Sequence, residues 1–193
     1  GCLQEGISHE AIEFSGHLKL SKLIVLWDDN KISIDGSTGL SNSANQISRF
    51  KAAGWHTQTI DGHDHDEIEE AIINSKKSRK PSIIACKTTI GFGAPNLGGT
   101  SKTHGAPLGA DEIVATRKAL GWSNKPFEIP EDILELWKKT AERSQKIFEE
   151  WENRYEQSSK KKRFRLFIDS EISQSYERKM NSFIKQMKQE KPK

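Results

Sequence analysis

Apolar and polar positions along the chain fall into blocks that predict short strands separated by helices. Residues 7–20 (ISHEAIEFSGHLKL) read as a short helix and a glycine-containing turn. Residues 22–27 (KLIVLW) form a compact run rich in Ile, Val and Leu, as expected of a buried parallel strand. That run stops at Asp28-Asp29-Asn30. A loop over 35–45 precedes a helix over 46–53, and residues 55–60 read as a second strand. Asp64 with Glu67 three residues later predicts a capping box. The helix it opens carries Ile68, Ala71 and Ile72 on one face. Residues 81–88 (PSIIACKT) are a third strand, with Pro at its start, where no ladder donor is lost.

Strand, helix, strand, helix, strand at this spacing predicts an α/β fold, a parallel sheet flanked by helices. Such sheets bind ligands beyond the carboxyl ends of their strands. The places to search are therefore residues 28–34 and 90–109. Beyond Gly109 the pattern turns helical. A helix over 110–120 ends at Gly121, and Pro126 and Pro130 mark a break. Ile133, Trp137, Ala141, Phe148, Trp151 and Tyr155 then recur at helical spacing as one apolar stripe. The run KKKRFR reads as a basic linker, and 172–187 as a further weak helix.

Charge changes this picture in one respect. The 193 residues hold 30 Lys/Arg and 27 Asp/Glu, a net charge of +3. Residues 157–193 contain eleven Lys/Arg against four Asp/Glu, so the first 156 residues are net acidic. The basic character belongs to the tail, and a nucleic-acid-binding role for the whole chain is not expected. Mean hydropathy is −0.72, and no apolar run approaches the ~18 residues of a membrane span. Two cysteines, Cys2 and Cys86, are too few for a disulfide scaffold and suit a reducing compartment. The first residue is Gly1 rather than Met, which reads as a piece of something longer.

Two stretches could carry chemistry. Carboxylate, amide and main-chain oxygens at 28–32 are hard donors that suit Mg²⁺ or Ca²⁺. By spacing alone, a polar turn capping the strand accounts for them more often. The glycine-rich run from Ile90 through Gly91, Gly93, Gly98 and Gly99 to His104 lets backbone approach a ligand closely. His104 is the acid/base candidate there, and a surface loop is the competing reading. Gly91-Phe92-Gly93 is not a dinucleotide fingerprint, since Pro95 and Asn96 follow. His63 and His65 among Asp61, Asp64 and Asp66 match no zinc spacing, and a capped helix start explains the acids.

Taken in order, GCLQEGISHEA (1–11), GHLKLSKLIVLWDDNKISIDG (16–36), RFKAAGWHTQTIDGHD (49–64), KPSIIACKTTIGFGAPN (80–96) and THGAPLGADEI (103–113) resemble the diphosphate-binding domain of the transketolase family. LGW at 120–122 and PFEIPEDI at 126–133 follow in place. The resemblance implies binding of thiamine diphosphate with Mg²⁺, Ca²⁺ or another divalent cation. It implies metal ligation by the Asn30 side chain and the Ile32 carbonyl, and cofactor contacts from Gly1, Asn30, Ile90 and His104. It places His104 at the reacting substrate, as the catalytic residue. It places Glu5 and Glu10 near a homodimer interface, as acids linking two active sites. The implied reaction moves a two-carbon ketol unit between sugar phosphates in the cytoplasmic pentose phosphate pathway. The family's Asp ligand would stand immediately before Gly1, and Lys31 replaces a common Gly.

The resemblance divides the chain into a partial diphosphate-binding domain (1–125), a long amphipathic helix packing on it (126–157), and a basic linker with a C-terminal helix (158–193). This last segment would lead toward an absent pyrimidine-binding domain and C-terminal domain. The isolated chain is therefore expected to be inactive, with no nucleic-acid or membrane partner. Dihydroxyacetone synthase and deoxyxylulose-phosphate synthase are related alternatives that THGAPLG and PFEIPED disfavour. A silent product of a disrupted gene, or a half-protein that complements a second chain, is the alternative from another class.

Overall fold

The computed structural model describes residues 1–169 and 172–190; the parts of the 158–193 segment at 170–171 and 191–193 lie outside them. Two compact units divide the chain, Gly1–Ser123 and Asn124–Lys193.

The first unit runs α1 (Gly6–His17), β1 (Ile24–Asp29), β2 (Ile32–Ser33), β3 (Gly36–Ser37), α2 (Gln46–Ala52), β4 (His56–Asp61), α3 (His65–Lys77), β5 (Ser82–Lys87) and α4 (Ala110–Ala119). The main sheet is parallel, in the order β1-β5-β4. The last strand in sequence therefore sits in the middle. Its position explains its composition: Ile83 and Ile84 are fully buried on opposite faces. Complete burial of each stabilises by roughly 2 kcal/mol.

On one face Ile83 packs with Ile12 of α1, Phe50 of α2 and Trp55, and Val25 and Trp27 lean against them. The Trp55 indole N–H donates to the Ile12 carbonyl at 2.9 Å, so the buried ring leaves no orphan donor. On the other face Ile84 and Cys86 pack with Ile60 and with Ala71 of α3. Gln58 Nε2 donates to Ala71 O and Ser75 Oγ, both at 2.9 Å, tying β4 to that helix. Helices on both faces are what an all-parallel sheet requires.

Several expectations need correction. The strand over 22–27 begins two residues later and is only partly buried; Leu26 is 55% exposed. β1 is an edge strand of the described sheet, so its outer side lacks the cover that β5 enjoys. The expected loop over 35–45 begins with a short strand, Gly36–Ser37, that pairs antiparallel with Ile32–Ser33 before it. The capping box is divided: Asp64 accepts from the Asp66 and Glu67 N–H groups, but Glu67 reaches back to the Asp61 N–H. The acid thus fastens the end of β4 as well as the start of α3.

The second unit consists of α5 (Glu131–Glu156), α6 (Lys161–Ile168) and α7 (Gln174–Gln189). The basic linker is largely helical. Phe164 lies 5.6 Å from the Tyr155 ring and 6.3 Å from Trp151 between centroids. Lys161 pairs with Glu156 and sits 5.5 Å over Tyr155. These contacts give residues 161–168 an aromatic face to fold against, which a charge count does not register. No residue of α5, α6 or α7 is fully buried among those described. No described helix is long and apolar enough to cross a membrane.

Candidate cation and diphosphate site

Parallel pairing aligns the carboxyl ends of all three strands. Asp29 of β1 and Asp61 of β4 each stand in register with Lys87 of β5. The chain leaves this edge through three segments: the Asn30 turn, the Asp61-Gly62-His63 turn and the loop from Thr88 to Gly109. The Thr88 hydroxyl bonds to Asp28 Oδ1, joining the first and third of these.

The Asn30 turn is built locally. Asn30 Oδ1 accepts the Ile32 N–H at 3.0 Å, and its Nδ2 donates to Asp28 Oδ2 at 3.3 Å. The chain reverses through Lys31, whose φ of 61° lies in the left-handed region that favours glycine. Such a conformation costs on the order of 1 kcal/mol. Lys31 Nζ pairs with Asp29 at 2.8 Å and lies 5.6 Å over the Trp27 ring, contacts that offset part of that cost.

The turn encloses a cavity of about 250 Å³ lined by Gly1, Trp27, Asp28, Asp29, Asn30, Ile32 and Gln46, among others. Gly1, far in sequence from Asn30 and Ile32, meets them here. Asp28, Asp29, Asn30 and Gln46 bring carboxylate and amide oxygens to this lining. Asn30 Oδ1 takes one donor and keeps a second lone pair. Gln46 is 6% exposed, and its buried Oε1 has no hydrogen-bond donor. An acceptor left this way costs about 1–3 kcal/mol. Such a set of carboxylate, amide and carbonyl oxygens fits a hard divalent cation. No group of three or more His, Cys, Asp or Glu side chains suited to a metal occurs among the described residues. A cation site here would depend on amide and main-chain oxygens.

Ile90 and His104 belong to the neighbouring loop rather than to the lining of that cavity. Ile90 is half-buried and His104 is exposed. The loop is cross-linked internally. The Ile90 carbonyl accepts the Gly99 N–H at 2.8 Å, and the His104 N–H donates to Ser101 O at 3.0 Å. Gly91 has φ 63°, and a Cβ there would come within 2.9 Å of Thr103. Glycine is thus needed both for the turn and for the close approach of Thr103, the neighbour of His104.

A carboxylate that sequence reading passed over clamps this loop. Glu112 of α4 is 8% exposed. Its Oε1 accepts the Asn96 and Leu97 N–H groups at 2.8 and 3.0 Å, and its Oε2 accepts Asn96 Nδ2 at 2.8 Å. The Asn96 side-chain bond, together with the two backbone bonds, holds its carboxyl below the ordinary range, against the opposing effect of burial. On the other side, His63 Nε2 accepts the Thr89 N–H at 2.9 Å. That nitrogen is engaged by the loop rather than by a zinc-type cluster.

Glu5 is the N-cap residue of α1, and Glu10 lies within the helix; both are exposed. Cys86 is buried, as its strand position leads one to expect. Burial, then the nearby Asp28 charge, pushes its thiol pKa up, away from nucleophilic character.

A parallel sheet with helices on both faces, and a polar cavity at its carboxyl edge, defines an α/β protein with a candidate site where such sheets bind ligands. The family described as "Transketolase, thiamine diphosphate binding domain" matches residues 1–180, and the chain belongs to that family. It is 56% identical over 168 residues to a transketolase of Sinorhizobium medicae, an alignment covering 87% of this chain and 24% of that protein. Among solved structures, a transketolase of Campylobacter jejuni aligns with a TM-score of 0.80 at 39% identity, over 85% of this chain and 26% of the other. A Pichia stipitis transketolase solved with sedoheptulose 7-phosphate aligns with a TM-score of 0.76 at 40% identity, over 80% and 23% respectively. The chain spans about a quarter of the length of the curated relatives it matches.

Proposed function

We propose that this chain supplies the cation- and diphosphate-binding part of a transketolase active site. The observation that carries this reading is the meeting of Gly1, Asn30 and Ile32 in one oxygen-lined cavity, beside the strand end that launches the His104 loop. Asn30 through Oδ1 and Ile32 through its carbonyl would hold Mg²⁺ or a similar divalent cation, and the Gly1 backbone would contact the diphosphate. Ile90 would offer an apolar contact to the cofactor ring. When bound, thiamine diphosphate supplies the carbanion chemistry that breaks and forms a ketose carbon–carbon bond.

The residues of this chain bind and orient in that reaction. His104, exposed on its loop, can donate a hydrogen bond to a substrate oxygen on which charge develops. Sugar phosphates are the substrate class, supported by the ligand of the Pichia stipitis relative. In this reading the chain is inactive alone and acts with a pyrimidine-binding domain and a C-terminal domain in a homodimer. Glu5 and Glu10, exposed on α1, would face the second subunit. The reaction belongs to the cytoplasmic pentose phosphate pathway.

The test is to combine the chain with one carrying the pyrimidine-binding domain and assay ketol transfer with thiamine diphosphate and Mg²⁺. Activity is expected only in the mixture, and His104→Ala is expected to lower it by about 10²-fold or more. An unchanged rate in that variant would remove His104 from the site.

A further inference from the structure

The Asp61-Gly62-His63 turn stands at the same sheet edge as the Asn30 turn, yet the proposed cofactor contacts leave it without a task. Its backbone is fastened to β5. The Gly62 N–H donates to Lys87 O at 2.7 Å, and a Cβ at Gly62 would fall 2.5 Å from Thr88 Cγ2 and 3.0 Å from Lys87 O. Only glycine permits that approach without displacement. Asp61 Oδ1 accepts the His63 N–H at 2.9 Å, which fixes the next residue too. From this base the imidazole reaches forward into the long loop.

His63 touches the loop at two points that bracket Ile90. Its Nε2 accepts the Thr89 N–H at 2.9 Å, and its ring stacks on Phe92 with centroids 4.0 Å apart and planes 21° apart. A nitrogen that accepts a backbone N–H carries no proton of its own, so the neutral ring holds its proton on Nδ1. The segment it grips is coupled onward. Ile90 O is bonded to Gly99, and Gly91 backs onto Thr103, the residue before His104. Local sequence cannot impose this arrangement, because 26 residues separate His63 from Thr89.

We propose that His63 is a positioning residue for the Ile90–His104 loop, holding it over the carboxyl edge by one ring-nitrogen acceptor and one ring stack. Its functional consequence rests on the reading of that loop as part of the cofactor site. The contact itself can be tested without that reading.

The experiment is amide hydrogen exchange and nitrogen NMR on the full 193-residue chain. His63→Phe keeps a ring for Phe92 and removes the acceptor; His63→Gln restores an acceptor without the ring. Thr89 exchange is expected to rise roughly three- to tenfold in the first variant, the range for one net hydrogen bond, and to return toward the original in the second. Ile90 and His104 resonances are expected to move in His63→Phe. The wild-type spectrum should show His63 Nε2 without a proton. Because His63 is exposed, both variants should fold, and the wild-type spectrum bears on the proposal even if one does not. Unchanged Thr89 exchange in His63→Phe, or a proton on Nε2, overturns the proposal. So does a response confined to Thr89 with Ile90 and His104 unmoved. Failure of the transketolase reading would show separately, as absent ketol transfer in the reconstituted enzyme with the His63 contact intact.

Discussion

Two segments leave the same sheet edge by contrasting means. The turn after β1 closes on itself. Asn30 bonds to Ile32 two residues on, Ile32–Ser33 pairs with Gly36–Ser37, and the Thr38 N–H returns to Lys31 O at 2.9 Å. The loop after β5 runs from Thr88 to Gly109 and depends on remote clamps. His63 holds its start and Glu112 holds its middle, 26 and 16 residues from their partners. A short, self-closed turn keeps a ligand oxygen in place whatever its surroundings do. A long loop held at separate points can be loosened at one point without losing the others.

That contrast yields predictions for each side. The largest effect is expected at the turn. Asn30→Ala removes both the proposed cation ligand and the bond that shapes the turn, so cation affinity should fall about 10- to 100-fold. Terbium emission sensitised by Trp27, which lines the cavity, measures this; unchanged emission would take Asn30 out of the site.

A smaller and more local effect is expected at the loop. Glu112→Gln turns one acceptor oxygen into a donor facing groups that already donate, so amides at 96–97 should exchange roughly tenfold faster while the core amides of β5 do not respond. The same clamp predicts a pH dependence. The Glu112 pKa is lower in the folded state than in the unfolded chain. Its contribution is therefore fully present above the unfolded value near ~4.3 and is lost as pH falls through the folded value. Relative to the intrinsic exchange rate at each pH, protection at 96–97 should fall in that acid window in the wild type and stay flat in Glu112→Gln. A shared pH response would mean another group controls it.

The smallest effect separates backbone from charge at Lys31. Lys31→Gly and Lys31→Ala both remove the Asp29 pair, but only glycine relieves the left-handed backbone. Thermal melts should rank the glycine variant above the alanine variant by about 1 kcal/mol. Equal stability would show that the turn relaxes away from positive φ.

Legibility in the sequence follows the range of each interaction. The strand and helix blocks of the first unit, the Asp64 cap and the Asn30 turn are visible because their causes lie within a few residues. Glu112 is hidden because its partners are backbone groups sixteen residues away on a glycine-rich loop. Gln46 reads as an ordinary helix start until the fold buries its Oε1 beside the Asn30 cavity. In the second unit, the KKKRFR run reads as solvated charge because its helical face comes from Phe164 meeting Trp151 and Tyr155.

Composition and spacing by themselves determined that this protein has parallel strands with helices between them, and that hard oxygen donors follow the first strand. Those features come from alternation, capping and turn chemistry, which act over one to four residues. The tertiary structure decided that β5 lies between β1 and β4, that Gly1 and Ile32 share a cavity, and that His63 and Glu112 hold the His104 loop. Each of these depends on which distant segments the burial of Ile83 and Ile84 draws together, and hydrophobic burial specifies area removed from water rather than the identity of the partners.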